Sequence, residues 1–302
     1  MTEDFAQLGR RVIFSSLPVI SVAVAHDKEV IRTIKAAVSE GLAEAILIGD
    51  KGKIEELIGE EKISSPVSIE HEADEEAACR KAIGLIKEGK ADMLMKGIVN
   101  SSIFLKAVLE DEKKNGKGGF LSHMAAFQVP GFKRLLYFSD GGMNIAPDLE
   151  AKKNIIINGI NGLHRLGIPC PRVAVITANE NVDSKIPASV HAAELSKMWK
   201  DGAFPDCILE GPVTMDVALS KEAAVHKGIN SKVSGETDLF IGPDIQAGNI
   251  VGKVLIYCAR AKMAGVILGA SYPIVMTSRA ENAEGKFNSI ALAAALTERS
   301  GE

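Results

Sequence analysis

RLLYFSDGGMNIAPDLEAKKNIIINGINGLHRLG, residues 134–167, reads as one complete α/β unit. RLLYFSD (134–140) is apolar and aromatic at its centre, the composition of a buried strand. Ser-Asp-Gly-Gly then breaks the run. A helix opens near Pro147, and DLEAKKNIIINGINGLHRLG (148–167) carries it to a closing glycine.

Outward from this unit, the same alternation runs along the chain. VISVAVA (19–25), EAILIGD (44–50), ADMLMKG (91–97), RVAVITA (172–178), DCILEGP (206–212) and TDLFIGP (237–243) read as strands. DKEVIRTIKAAVSEG (27–41), EEAACRKAIGLIKEGK (75–90) and ASVHAAELSKMWKDG (188–202) have helical spacing. IQAGNIVGKVLIYCARAKMAG (245–265) reads as one long helix. The last strand lies in VILGASYPIVM (266–276), and a last helix covers roughly 283–297. Near-continuous apolar strands between amphipathic helices predict a parallel sheet covered on both faces. Such sheets bind ligands beyond the carboxyl ends of their strands. The residues to inspect are therefore Lys96-Gly97, Ser139-Asp140-Gly141-Gly142, Gly211-Pro212, Gly242-Pro243 and the stretch TSRAENAEGK (277–286).

Composition narrows the field. The chain has 302 residues, which predicts about two domains. Hydrophobic residues make up 46% and charged residues 25%, the ordinary globular balance. A net charge of −4 gives no global electrostatic case for nucleic acid or an acidic membrane, so any anion site is local. The first residues lack the charged-then-apolar order of a signal peptide. No apolar run reaches the length of a membrane helix. The four cysteines are scattered without a CxxC pair, so a reduced cytoplasmic protein is expected.

GNIVGKV (248–254) fails as a phosphate loop, because Ala247 stands where the first glycine is needed and Val254 where the hydroxyl is needed. No GxGxxG follows the first strand. FSDGGMNIAPD (138–148) is stronger. Its glycines let backbone N–H groups approach an anion, and Asn144 adds a donor; a plain tight turn would use the same residues. LMKGIVNSS (94–102) sets Lys96 and Gly97 at a strand end before hydroxyls at a helix start, a phosphate or oxyanion pocket or a structural turn. In TSRAENAEGK, Asn282 is placed to cap the last helix. Ser278, Arg279 and the first N–H groups of that helix would then converge on one anion, unless Arg279 pairs with Glu281 or Glu284. The six histidines form no HxxxH or HExxH pattern and read as structural or exposed. Lys113, Lys114 and Lys117 read as a solvated loop.

SDGGMNIAPD, GPDIQA followed by GNIVGK, and PIVMTSRAENAEGKFNSIALAAAL resemble, in order, the motifs of the phosphate acetyl/butyryltransferase family. The details are similar to its butyryl or branched-chain members. Many acetyl-specific members carry an aspartate thought to act as base where this chain has Gly285; Glu284 is the nearest carboxylate. The resemblance implies a two-domain α/β fold like that of isocitrate and isopropylmalate dehydrogenases, with a parallel-sheet core and a substrate cleft between the domains. The first domain would hold residues 1–128 and 270–302, and the second 129–269. It implies the reaction acyl-CoA + phosphate ⇌ acyl phosphate + CoA, with CoA as a substrate and no bound cofactor, metal or covalent enzyme intermediate. Arg279 would stabilise the oxyanion or the leaving phosphate, Ser278 would hydrogen-bond the thiol or the oxyanion, and Glu284 is the candidate base. Lys96, Gly97, Ser139, Asp140, Asn144, Asn249 and Lys253 are the substrate-binding candidates. The partners expected are small molecules and further copies of the chain in a dimer or higher oligomer. Three other readings compete, one of them acyl transfer from acyl carrier protein to phosphate, which a docking surface of Lys and Arg would favour and the weak basic loop at 113–117 does not. A metal-assisted NAD(P)-dependent dehydrogenase on the same fold would need an aspartate cluster that Asp140, Asp216 and Asp238 do not form in sequence. The third is a non-catalytic binder of CoA or acyl phosphate.

Overall fold

The computed structural model describes residues 4–13, 17–63, 67–114, 119–277 and 282–297. Along the chain the elements are α1 (Phe5–Ile13), β1 (Val19–Ala23), α2 (Lys28–Ser39), β2 (Glu44–Gly49), α3 (Lys51–Glu61), β3 (Val67–His71), α4 (Glu75–Lys87), β4 (Met93–Lys96) and α5 (Ser101–Lys114). There follow β5 (Ser122–Gln128), β6 (Leu136–Ser139), α6 (Leu149–Arg165), β7 (Arg172–Ile176), α7 (Pro187–Lys200), β8 (Ile208–Val213), α8 (Met215–Leu219), α9 (Lys221–His226), β9 (Leu239–Ile241) and α10 (Ile245–Tyr257). The chain closes with β10 (Lys262–Leu268), β11 (Ile274–Val275) and α11 (Ala283–Ala295).

Two compact units divide the chain. One is built from 4–119 and 264–302, the other from 120–263. The C-terminal segment thus returns to the unit begun by the N-terminal one. The boundaries expected from sequence are 128/129 and 269/270. β5 falls in the middle unit because it pairs antiparallel with β6, Ala125 opposite Phe138.

In the first unit the strand order is β3-β2-β1-β4-β11-β10. β1 pairs parallel with β2 and β4, and β4 pairs parallel with β11. In β1 the last four of five residues are buried, as a strand covered on both faces requires. α2 buries Ile31, Ile34, Ala37 and Val38, one stripe at helical spacing. α11 is buried nearly all round, from Gly285 to Ala294 with Phe287 partly covered, and is a core helix. In the middle unit the order is β5-β6-β9-β7-β8, with β6, β9, β7 and β8 parallel.

Side-chain caps set most helix starts. Asp27, Asp50, Asp74, Asp148, Asp244 and Asn282 each accept a backbone N–H of the first turn. Asn282 thereby caps α11, accepting from Gly285 N–H at 2.8 Å.

Two expectations change. The parallel core carries antiparallel pairs, β5–β6 and β10–β11. The long helix over 245–265 ends at Tyr257. Arg260 takes a left-handed φ of +55°, Ala261 N–H closes back on the Leu255 carbonyl at 2.9 Å, and KMAGVIL becomes β10. Helical spacing continues through this segment, but the last five residues of β10 are buried in the sheet, so tertiary burial overrides local pattern.

Candidate active site

In the middle unit the site grows from the carboxyl end of β6. The Ser139–Asp140 peptide there is cis. Asp140 is 3% exposed, and its carboxylate organises the whole turn. Oδ1 accepts the N–H groups of Gly142 and Met143, both at 2.8 Å. Oδ2 accepts His123 N–H at 2.9 Å and Asn144 Nδ2 at 2.7 Å. Asn144 also donates to the Leu121 carbonyl at 3.0 Å, and Ser139 donates its hydroxyl to the His123 carbonyl at 2.8 Å. The polar atoms of Ser139, Asp140 and Asn144 therefore tie β6 to β5.

Gly141 is where the two glycine motifs meet. A Cβ on Gly141 would lie 2.9 Å from the Gly248 carbonyl carbon, and one on Gly248 would lie 2.8 Å from the Gly141 Cα. Any side chain at either position would force the turn and α10 apart. Asn249 Nδ2 donates to the Gly141 carbonyl at 3.3 Å, and Lys253 follows one turn later on the same helix. Residues more than a hundred positions apart in sequence thus share one corner.

A small pocket sits against this corner, about 370 Å³ when the open solvent at its mouth is counted. Ala125, Phe127 and Phe138 form its buried depth; exposed Asn249 and Lys253 line it with His123. The His123 ring packs under Gly142, whose Cβ would come within 2.9 Å of it. His123 Nδ1 is buried without a hydrogen-bond partner. Burial pushes the imidazole below its ordinary pKa, against the pull of the neighbouring Asp140 carboxylate, so the neutral form is favoured.

The other unit holds the remaining candidates. Ala23 is opposite Lys96 in the β1–β4 register, and Val275 is opposite Met95 in the β4–β11 register, so β4 and β11 leave the sheet side by side. Gly97 lies against the end of β1; a Cβ there would meet the Val24 carbonyl oxygen, so only glycine fits. Lys96 is half-buried and folds onto its own loop, donating to the carbonyls of Gly97 at 3.0 Å and Val99 at 2.9 Å. Glu284 is exposed in the first turn of α11. Ser278 and Arg279 lie outside the described residues, as do Glu281 and Lys117. Among the described residues, no group of three or more His, Cys, Asp or Glu side chains is placed to hold a metal ion. No helix among them is long and apolar enough to cross a membrane.

The order of these elements and motifs matches a known family: the model for Phosphate acetyl/butaryl transferase fits residues 66–294. The chain belongs to this family. The phosphate butyryltransferase of Clostridium acetobutylicum is 40% identical over 297 residues, covering 97% of this chain and 98% of that protein. A branched-chain phosphotransacylase from Enterococcus faecalis superposes with a TM-score of 0.81 at 29% identity, over 93% of this chain and 99% of that one. The dehydrogenase-like fold that the motif resemblance implied is also found. 4-Hydroxythreonine-4-phosphate dehydrogenase from Klebsiella pneumoniae superposes with a TM-score of 0.61 at 14% identity, over 94% and 100% of the two chains. Phosphate acetyl/butyryltransferase membership does not favour the competing dehydrogenase reading, and this last likeness is one of fold alone.

His123, expected to be structural or exposed, is a packed residue of β5 that also lines the pocket. Sequence reasoning did not single out Phe127, Gly252, Ile256 and Met263, which line the same pocket. Reading 245–265 as one helix hid the turn that brings Met263 back to the pocket.

Proposed function

We propose that the chain is a phosphate acyltransferase that exchanges a short acyl group reversibly between coenzyme A and inorganic phosphate. The observation that carries this reading is family membership across 66–294, which includes both glycine motifs that meet at Gly141 and Gly248. Starting from acyl phosphate, the CoA thiol loses its proton to a base and the thiolate sulfur attacks the carbonyl carbon. A C–S bond forms, the C–O bond to phosphate breaks, and phosphate leaves. Arg279 is the residue for the oxyanion or the leaving phosphate, since a guanidinium binds either bidentately. Ser278 would hydrogen-bond the thiol or the oxyanion. Glu284 is the candidate base. Its alternative role is to complement the positive end of α11. Catalysis otherwise rests on holding two substrates together, without a bound cofactor or metal. Asn249 and Lys253, exposed beside the glycine corner, are the substrate contacts the middle unit supports best. Lys96 and Gly97 are the phosphate-binding candidates of the other unit.

The preferred substrates are proposed to be butyryl or branched C4–C5 acyl groups, a reading supported by relatives such as the C. acetobutylicum phosphate butyryltransferase and the branched-chain phosphotransacylase. A homo-oligomer is supported by α10, whose Ile250, Val254 and Tyr257 stand 62%, 51% and 75% exposed at helical spacing. A cytoplasmic setting is supported by four unpaired cysteines.

The test is phosphate-dependent release of CoA from acetyl-, butyryl-, isobutyryl- and isovaleryl-CoA, with and without EDTA. Release that needs phosphate, survives the chelator and is fastest with the C4–C5 thioesters is expected. Absence of phosphate-dependent release from all four refutes the activity. An acetyl preference refutes the chain-length assignment, and loss with EDTA restored by magnesium refutes the metal-free route.

A further inference from the structure

We infer that the pocket against α10 receives the hydrocarbon part of the acyl group, and that Gly252, Ile256 and Met263 set how long that group can be. The inference rests on the acyl transfer proposed above. The pocket is graded. Its most buried lining residues are apolar, with Ala125 at 6%, Phe127 at 2% and Phe138 at 8% exposure. Its polar side chains are His123, Asn249 and Lys253, and the last two are exposed. A cavity with an apolar floor and a few polar groups suits a ligand with a hydrocarbon tail and a polar head. Phosphate alone would leave the floor unused. A carbonyl bearing CoA or phosphate on a C4 chain would use both ends.

The floor is stiff. Phe138 stacks on Phe240 at 4.5 Å and 8°, and meets Phe127 edge-on at 5.6 Å and 84°. These rings are fixed by β5, β6 and β9, so pocket size is set from the α10 side. There the helix carries glycine at an interior position, where alanine would favour the helix. A Cβ on Gly252 would lie 3.2 Å from Phe127 Cζ. Any larger side chain at 252 would therefore grow against the floor and fill the pocket. Ile256, one turn on, and Met263, at the start of β10, close the remaining wall. The helix keeps glycine, a residue unfavourable to it, at both pocket-lining positions where a side chain would press on the turn or on the floor, Gly248 and Gly252.

The experiment compares kcat/KM for acetyl-, butyryl- and hexanoyl-CoA with phosphate in the wild type, Gly252→Ala, Gly252→Leu, Ile256→Phe and Met263→Ala. Filling the pocket in Gly252→Leu or Ile256→Phe should lower the butyryl-to-acetyl ratio by about 10- to 200-fold, the range one or two methylenes command in an apolar pocket. Gly252→Ala, which the helix tolerates best, should move it the same way by less. Met263→Ala should raise the hexanoyl-to-butyryl ratio. Circular dichroism establishes that each variant is folded. A second readout needs no turnover: the methyl NMR signal of Met263 in the full-length wild type should shift with butyryl-CoA and stay in place with CoA. Ratios unchanged in folded variants, or a Met263 methyl that ignores butyryl-CoA, overturn the pocket assignment. Wild-type protein with no phosphate-dependent turnover refutes the proposed activity instead, and the methyl signal then decides the pocket independently.

Discussion

Asp140→Asn separates a loop-building carboxylate from a substrate-binding one. The carboxylate takes four donors, two on each oxygen. Asparagine matches its shape but keeps one accepting oxygen. Whichever way the amide turns, its NH2 faces two donors: either His123 N–H and Asn144 Nδ2, or the N–H groups of Gly142 and Met143. Two hydrogen bonds to a charged acceptor are lost, each worth about 1.5–3 kcal/mol. Relief from burying the charge returns part of that roughly 3–6 kcal/mol, so a net loss of about 2–4 kcal/mol is expected. This is a large share of the ~5–15 kcal/mol that holds an ordinary domain. The assay is urea unfolding followed by Trp199 fluorescence. Trp199 is the only tryptophan and stands in α7 of the same unit, with its indole N–H bonded to the Cys207 carbonyl at 2.9 Å, so it reports on the unit that contains Asp140. The midpoint should fall with an unchanged slope. A loss below about 1 kcal/mol would refute the structural account, since even one hydrogen bond to a charged acceptor is worth more than that. Full stability with lost turnover would instead place Asp140 on the substrate.

Four further perturbations test separate parts. Burial holds the His123 imidazole below its ordinary pKa, so below about pH 6.5 the unfolded chain binds a proton that the folded one resists. Stability is thus fully present above that pH and declines as pH falls towards the folded-state value; His123→Phe should flatten the decline in urea midpoints between pH 7.5 and 5, and an unaltered slope counts against it. Arg279→Ala should cost on the order of 10²–10³ in kcat at every pH, like removal of an oxyanion donor. Glu284→Gln, assayed with acyl phosphate and CoA, should be slow at pH 7 and recover by pH 9, because a free thiol ionises near about 8.5 and then needs no base; wild-type rate at pH 7 would leave Glu284 as a helix-terminus residue. Replacing Ile250 and Tyr257 together by lysine and glutamate should convert an oligomer to monomers in sedimentation, and an unchanged mass would move the interface off α10.

The α/β alternation was legible because buried parallel strands need apolar runs at their centres, and helices between them need one apolar stripe. VISVA and LYFS carry the first signal, and Ile31, Ile34 and Val38 the second. Caps were legible where a short polar side chain precedes the periodic run, as at Asn282 and Asp148. β10 was not, because KMAGVIL differs from a helical segment only in what surrounds it. β5 was hidden by His123 and Gln128, polar residues at the ends of a strand whose middle is buried.

The site was legible as places and not as contacts. SDGGMN and GNIVGK could each be marked as glycine-rich corners after strands or near helix starts. That Gly141 and Gly248 touch follows only from the β6–β9 pairing, which delivers both segments to the carboxyl ends of neighbouring parallel strands, Ser139 opposite Ile241. The same pairing decides which residues can act. Once Gly242 N–H bonds the Ser139 carbonyl at 2.9 Å, the carboxylate of Asp140 is enclosed by its own turn, and the outward surface passes to backbone, Asn249 and Lys253. Ser139, Asp140 and Asn144 thus build the corner through their hydrogen bonds. Beside it, over the fixed floor of Phe127 and Phe138, Gly252, Ile256 and Met263 are left to set the length of the acyl group.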